Sequence, residues 1–229
     1  MILNALTVRN LDPNEWALAL FAIAFLMLAM VKSTYEKRFA SFFRLGISDK
    51  YLKVYRDSSN IKTSFTILIF VANLVSTAFL IHLSATRFGF RISDYKYYFA
   101  KNDGLLFVRI FTLLTVFVLI KYLIEKIVVT LFSAEEMSDY FNLQKISYKS
   151  FIGVVFLPIV MLLFYNSAVS DALFYGVIGA FLLLNLVFYV IILVNFREII
   201  FRNLFYFILY LCTLEIAPYY FIYYLIIKN

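Results

Sequence analysis

Six long apolar segments dominate the sequence and limit what the chain can fold into. A helix needs about 20 largely apolar residues to cross a hydrocarbon core about 30 Å thick. The segments are roughly 15–31, 63–83, 105–126, 147–165, 172–194 and 204–227. They are continuous rather than alternating and are too long for the strands of a membrane barrel. The sequence therefore predicts one all-α transmembrane domain over residues 1–229, a bundle of six spans.

The composition agrees with a chain whose main partner is the lipid bilayer. Hydrophobic residues make up 64% of the chain and charged residues 15%, whereas soluble domains have about 45–50% and about 25%. The net charge of +7 comes from basic residues that cluster at the ends of the apolar segments. We interpret them as topology signals and expect no nucleic-acid partner.

Lysine and arginine in the connections predict the orientation. With the N-terminus outside, 14 of the 21 basic residues lie on the inner side and 7 on the outer side, so both termini are predicted outside. Asp12 and Glu15 precede the first span while Lys32 and Lys37 follow it. A signal peptide has the opposite charge order, so we expect a retained helix.

The first inner loop, 32–62, has the pattern of an amphipathic helix that stops at Gly46. One face carries Tyr35, Phe39, Phe42 and Phe43, and the basic residues around it are Lys37, Arg38 and Arg44. Aromatic residues flanked by cations predict a helix on anionic headgroups. The alternative is a docking surface for a cytoplasmic partner.

The outer loop, 84–104, is aromatic and basic. Its aromatic residues include Phe88, Phe90, Tyr95, Tyr97 and Tyr98. They form an interfacial belt in one interpretation. In the other they are a contact surface for a periplasmic or membrane partner, because aromatics and arginine are enriched in interface cores.

Two shorter connections follow. The inner loop near 133–145 is acidic, and Ser133 with Glu136 could form a capping box that opens a short helix. Residues 166–171 are a short turn, which makes the fourth and fifth spans antiparallel neighbours.

Glu215 is the strongest candidate for an intramembrane functional group, because it lies near the middle of the sixth predicted span. An acid there costs roughly 2.5–3.5 kcal/mol on insertion scales. Pro218 has no N–H, so the carbonyl of Leu214 loses its helical partner beside this carboxyl. The free carbonyl and the carboxyl group form a local cluster of acceptors, able to hold a proton, a cation, a water or a donor side chain.

Other polar residues in the spans are weaker candidates. Asn73 and Asn185 lie at a depth similar to that of Glu215, so hydrogen bonds among the three are feasible. Their structural interpretation is interhelical contact. Arg109 is a candidate ion-pair partner for Glu215 nearer the outer surface, and we expect His82 to face headgroup water there.

Charges near the ends of the third span are expected to reach the interface. They are Arg109, Lys121, Glu125 and Lys126. Long side chains at span ends place their charged heads in the headgroup region at little cost.

No catalytic motif is present in the sequence, so we expect no enzyme. There is no phosphate-binding loop, no HExxH and no GxSxG. One cysteine, Cys212, and one histidine, His82, are too few for a structural zinc site or an intrachain disulfide. We expect neither metal nor cofactor.

The segment Cys212–Pro218, with its glutamate, small residue and proline, resembles part of an uncharacterised family of Bacteroidota multi-spanning proteins, domain of unknown function 4271. Residues 140–142 with Lys145, followed by Gly153 and Pro158, resemble a second block of that family. The resemblance implies the inner membrane of a Gram-negative cell. It implies no activity, because none is established for the family.

Three functional hypotheses remain open. The first is a non-enzymatic integral subunit, a scaffold or an assembly factor of a larger envelope complex. The second is a proton- or cation-coupled transporter or channel that uses Glu215 as its titrating group. The third, a protein that handles lipids or polyprenols, depends only on the aromatic, basic loops.

Overall fold

The computed structural model of the protein describes residues 15–46, 50–54, 63–88, 103–131, 135–166 and 169–195. Within these ranges all regular structure is helical and no strand occurs. The helices are α1 (Glu15–Thr34), α2 (Glu36–Phe43), α3 (Lys50–Val54), α4 (Ser64–Phe88), α5 (Asp103–Leu131), α6 (Glu135–Tyr165) and α7 (Asp171–Asn195). A 3-10 turn, Arg44–Gly46, follows α2.

Five of the six predicted spans are confirmed as helices long and apolar enough to cross a membrane. These are α1, α4, α5, α6 and α7, which is consistent with a multi-pass membrane protein. Each helix includes the apolar segment that predicted it and extends beyond it, because polar residues at the span ends continue the same helix. The sixth predicted span, 204–227, lies outside the described residues.

The acidic stretch 135–145 is not a loop, which corrects the sequence prediction. It forms the first three turns of α6, continuous with the apolar part of that helix. Residues 135–152 contain neither glycine nor proline, so nothing in the local sequence ends the helix before the span. The proposed cap at Ser133 lies outside the described residues.

Helices α4 and α6 form the centre of the described structure. In each of them 56% of the residues in the most apolar window are buried, whereas the figure is 22% in α1, 11% in α5 and 6% in α7. Helices α1 and α5 pack on α4, and α7 packs on α6. The short link between Tyr165 and Asp171 thus joins neighbouring helices, as predicted.

Two clusters of buried side chains hold the helices together at opposite ends of α4. The Phe42 cluster joins Val31, Phe42, Leu45, Tyr51, Phe65 and Tyr148. The Phe79 cluster joins Phe21, Phe79, Phe107, Phe156 and Val160. In a bilayer, where lipid tails are as apolar as these side chains, close packing rather than escape from water stabilises such contacts. Aromatic rings supply such packing: the ring of Phe79 is stacked on that of Phe21, 4.1 Å away, and tilted against that of Phe107, 4.2 Å away between centroids.

The predicted amphipathic helix is present as α2, but its faces differ from the prediction. Phe42 does not face outward: its side chain is buried in the Phe42 cluster, in edge-to-face contact with Phe65. Arg38 is one helical turn before Phe42 and is buried with it. Phe43 is exposed and Phe39 is half-buried. The inward face of α2 is thus a mixed polar and aromatic face.

Candidate functional site

The predicted intramembrane site is described only in part. Glu215, Leu214 and Pro218 lie outside the described residues, so their arrangement stays a prediction. Asn185 is half-buried on α7, and its side-chain amide donates a hydrogen bond of 2.8 Å to the carbonyl of Phe181 in the same helix. One of its two amide hydrogens is thus used within its own helix, and a bond to Asn73 or Glu215 stays a prediction.

Asn73 is buried between α4 and α6 at their closest approach. A Cβ atom on Gly153 would stand 2.6 Å from both Cα and Cβ of Asn73 and would also overlap its Oδ1. Only glycine lets the α6 backbone come this near, as small residues do in many pairs of membrane helices. The structural interpretation of Asn73, an interhelical contact, fits this geometry.

A polar face lines the buried contact between α4 and α6. Its members are Thr66, Asn73 and Ser76 on α4, and Ser147, Ser150 and Gly153 on α6. Polar groups are expensive beside hydrocarbon, so burial between two helices is where they cost least. Sequence reasoning missed the serines, although the spacing of Ser147, Ser150 and Gly153 by three residues indicates one small, polar helix face.

Arg38 forms a polar site buried between α2, α3 and α4. Its guanidinium donates to the hydroxyl of Tyr51 on α3 (3.4 Å) and to Oγ1 of Thr66 on α4 (3.3 Å). The same group lies 4.6 Å above the ring of Phe65. We call Arg38, Tyr51, Phe65 and Thr66 the Arg38 site.

The Arg38 site joins three elements through one side chain. Its hydrogen bonds are slightly longer than the usual range of about 2.7–3.2 Å, so the cation–π contact with Phe65 carries a comparable share. Only 7% of Arg38 is exposed. The prediction that Arg38 belongs with the headgroup-facing residues of α2 is wrong, because α2 turns this residue toward α4.

Two further charged residues are buried near this end of the helices. Glu125 on α5 is only 5% exposed, so the prediction that it reaches the headgroup region is wrong. Lys145 on α6 is also buried, and its ammonium lies 5.5 Å from the centre of the Phe141 ring one turn earlier. Lys126 and Arg109 are exposed, and that their charged groups reach the headgroups stays a prediction. The pairing of Arg109 with Glu215 stays a prediction.

His82 lies in the Phe79 cluster rather than in headgroup water, which corrects the sequence prediction. It is 2% exposed, and its ring is 5.9 to 6.2 Å from those of Trp16, Phe107 and Phe164. His82 and Phe79 are three residues apart on α4 and share the face that α1 and α5 cover. The position of His82 near the end of its span predicts contact with water, but His82 lies on the face of α4 that neighbouring helices cover, and it is therefore buried.

An ion pair closes the same end of the bundle. Arg87, in the last turn of α4, lies 3.0 Å from Asp171 in the first turn of α7 and also donates to the carbonyl of Val169 (3.2 Å). Its guanidinium lies 4.7 Å above the ring of Phe174. The carboxylate is 80% exposed, so the pair contributes at most about 1 kcal/mol.

The predicted aromatic surface at this end is mostly outside the described residues. Helix α4 runs to Phe88, so the loop predicted at 84–104 begins later than expected. Phe90, Tyr95, Tyr97 and Tyr98 lie outside the described ranges. Whether they form a belt or a contact surface stays a prediction.

The chemistry available in the described ranges is hydrogen bonding and charge stabilisation. No group of three or more histidine, cysteine or acidic side chains placed to hold a metal occurs among the residues that the structure describes. The Arg38 site and the hydroxyls of α6 facing it can bind a small polar species or hold the helices in register.

Comparison with known proteins gives one match. The family model described as Domain of unknown function (DUF4271) matches residues 17–226. No curated protein and no solved structure matches the chain. The matched range includes the Arg38 site, Gly153 and the predicted sixth span.

Proposed function

The chain belongs to the DUF4271 family, a domain of unknown function, and we propose that it is a non-enzymatic integral protein of a bacterial inner membrane. It acts as a scaffold, accessory subunit or assembly factor of a larger envelope complex. Partner helices add to the outer faces of α5 and α7. The tightly packed pair α4–α6 provides the fixed frame to which these faces are attached.

Uneven burial is the observation that carries this proposal. The two central spans bury 56% of their most apolar windows, but α7 buries only 6% and α5 only 11%. Large apolar side chains such as Leu119 on α5 and Leu183 on α7 are exposed. A protein with such lightly covered outer helices can accept further helices without disturbing its own core.

The α7 backbone supports close approach by another helix. Gly176 and Gly179 have nothing within 4 Å of the position that a Cβ atom would occupy. Small residues let membrane helices pack closely where the hydrophobic effect contributes little. This feature adds to the argument from burial and does not replace it.

The orientation and the surface helix complete the proposal. With both termini outside, α2 lies at the cytoplasmic face. Lys37 and Phe43 on α2 and Arg44 directly after it are exposed. Cations beside an exposed aromatic ring suit a surface of anionic headgroups. Helix α2 thus rests on the membrane with this face and holds Arg38 and Phe42 against α4 with the other.

Site-specific photocrosslinking in the native membrane tests the proposal. A photoreactive residue at Leu183 or Leu119 is expected to give discrete, reproducible products larger than the chain, which mass spectrometry identifies as the same envelope proteins. Exposed positions on the central helices, Ile67 on α4 and Leu162 on α6, are the matched controls. They are expected to give weaker or different products.

Two outcomes would count against a scaffold. The first is crosslinking at Leu183 and Leu119 only to lipid or within the chain itself, for example to residues 196–229. The second is an identical set of products from all four positions, because chance encounter in the membrane produces that pattern. Purification in mild detergent as a monomer without reproducible partners would also count against a scaffold.

The transporter hypothesis depends on Glu215 alone and stays a second proposal. The family match extends through this residue, so it belongs to the shared domain. If Glu215 titrates during transport, Glu215→Gln should abolish proton-linked flux in proteoliposomes while the protein still accumulates. Unchanged flux in that variant would remove the hypothesis.

A further inference from the structure

Helix α7 packs on α6 along one stripe of side chains and has two half-buried polar residues beside that stripe. The stripe includes Phe188, whose ring is stacked on that of Tyr148 at 4.6 Å, and Phe181, whose ring meets a phenylalanine of α6 edge to face. Asn185 and Tyr189 lie next to the stripe, one helical turn apart. We call these two residues the Asn185 flank.

Asn185 has hydrogen-bonding capacity that its own helix does not use. One amide hydrogen is donated to the carbonyl of Phe181. An asparagine side chain has a second amide hydrogen and an oxygen that accepts, and neither bonds to any residue that the structure describes. A polar group without a partner is costly beside hydrocarbon. The Asn185 flank is therefore expected to meet another helix that carries a polar group at the same depth.

The chain itself supplies such a segment directly after α7. Helix α7 ends at Asn195, and residues 196–203 connect it to the sixth predicted span, 204–227. Connections of about 2–8 residues usually join antiparallel neighbours. Asn185 lies ten residues before the end of α7, and Glu215 lies eleven residues after the predicted start of the next span. At about 1.5 Å per residue, the two side chains therefore start from nearly the same depth.

We propose that the sixth predicted span packs antiparallel on the Asn185 flank, where the carboxyl group of Glu215 accepts the second amide hydrogen of Asn185. Each polar side chain then satisfies the other away from lipid. The exposed face of α7 with Gly176, Gly179 and Leu183 points in another direction and stays open to a partner helix. The placement of the sixth span is thus independent of the scaffold proposal.

Disulfide formation in the full chain, in its native membrane, tests the placement. Cys212 is the only cysteine in the sequence, and a helix puts it on the face of Glu215, three residues away. The same count along the two helices places Cys212 level with position 187. Tyr189→Cys adds a thiol on the Asn185 flank, about 3 Å from that level. Mild oxidation should join the two thiols in a monomer, which the intact mass after denaturation and alkylation detects.

Val187→Cys is the matched control, because position 187 is level with Cys212 but lies on the exposed side of α7. Its disulfide should form several-fold more slowly. Equal or faster reaction of Val187→Cys, or no disulfide in Tyr189→Cys, would overturn the proposal. A disulfide-linked dimer in Tyr189→Cys would assign the flank to a second copy and would also overturn it. If Tyr189→Cys does not accumulate, the pair Ile178→Cys and Ile222→Cys in a Cys212→Ser chain decides by the same criteria.

Thermal unfolding in detergent tests the hydrogen bond itself. Asn185→Leu and Glu215→Leu should each lower the unfolding midpoint by roughly 2–4 °C, because each leaves the other polar group buried without its partner. The double variant should regain at least one of these losses, since replacing both partners removes the unsatisfied group. Additive losses in the double variant would show that the two side chains do not meet.

Discussion

Replacing Gly153 with alanine is expected to destabilise the folded protein by about 3 kcal/mol, at the upper end of the range for overpacked cores. The added Cβ would stand 2.6 Å from the Cα of Asn73, and a backbone atom cannot move without moving its helix. Relief requires α4 and α6 to separate, which weakens the contacts along their whole shared face. Gly153→Val should prevent accumulation of folded protein.

Gly176→Ala is the matched control for this prediction. Gly176 is also a glycine within a spanning helix, but nothing lies within 4 Å of the position of its missing Cβ. Alanine there should be neutral or stabilising by about 0.4–1 kcal/mol, because the unfolded chain loses freedom. Thermal unfolding in detergent, followed by the fluorescence of Trp16, compares the two variants. Equal stability of both would show that α4 and α6 do not meet at Gly153.

Replacing Arg38 with alanine should cost about 2–4 kcal/mol of stability, from the lost hydrogen bonds to a charged group and the lost cation–π contact. The loss should fall on the attachment of α2 and α3, because Arg38 is the side chain that links them to Thr66 on α4. Arg38→Lys should recover only part of the loss, since an ammonium cannot reproduce the two-armed geometry.

Lys37→Ala and Arg44→Ala serve as charge-matched controls. Both residues lie on or next to α2 and are exposed, so each substitution should change stability by no more than about 0.5 kcal/mol. Denaturant titration of the three alanine variants in the same micelles measures the difference. If Arg38→Ala is as stable as Lys37→Ala, the buried Arg38 site does not exist in solution.

Much of the fold could be predicted from the sequence, because span length and apolarity depend on local composition. The five described spans and the close contact of α6 with α7 follow from runs of apolar residues and one short link. The start of α6 could not be found in this way, since an acidic stretch such as 135–145 reads as a loop when only hydropathy is considered.

The inward faces of the helices could not be predicted. Helices that are apolar on every side have no periodic pattern to show which side meets a partner. Depth along the span predicts that His82 and Glu125 face the headgroup region, but both are buried by neighbouring helices. Arg38 was assigned to the polar face of a surface helix, and only the packing of α2 on α4 shows that it turns inward.

The candidate site, too, could be predicted only in part from the sequence. The burial of Ser147 and Ser150 between α4 and α6 could not be predicted, because a serine in a sequence gives no information about which helix it will face. The sequence identifies Glu215 as a candidate by its position in the middle of an apolar segment, but Glu215 lies outside the described residues. A sequence can identify one unusual residue, but the residues that form a site with it are known only when the relative positions of two or more helices are known.

Thiol accessibility across the membrane tests the central claim, that the described helices span a bilayer with α2 on the inner side. Lys37→Cys and Ser170→Cys, each in a chain with Cys212→Ser, place one exposed thiol at each end of the bundle. In spheroplasts a membrane-impermeant maleimide should label the thiol at position 170, and the thiol at position 37 only after the membrane is permeabilised. Equal labelling of both thiols before permeabilisation, or the reverse order, would contradict the architecture.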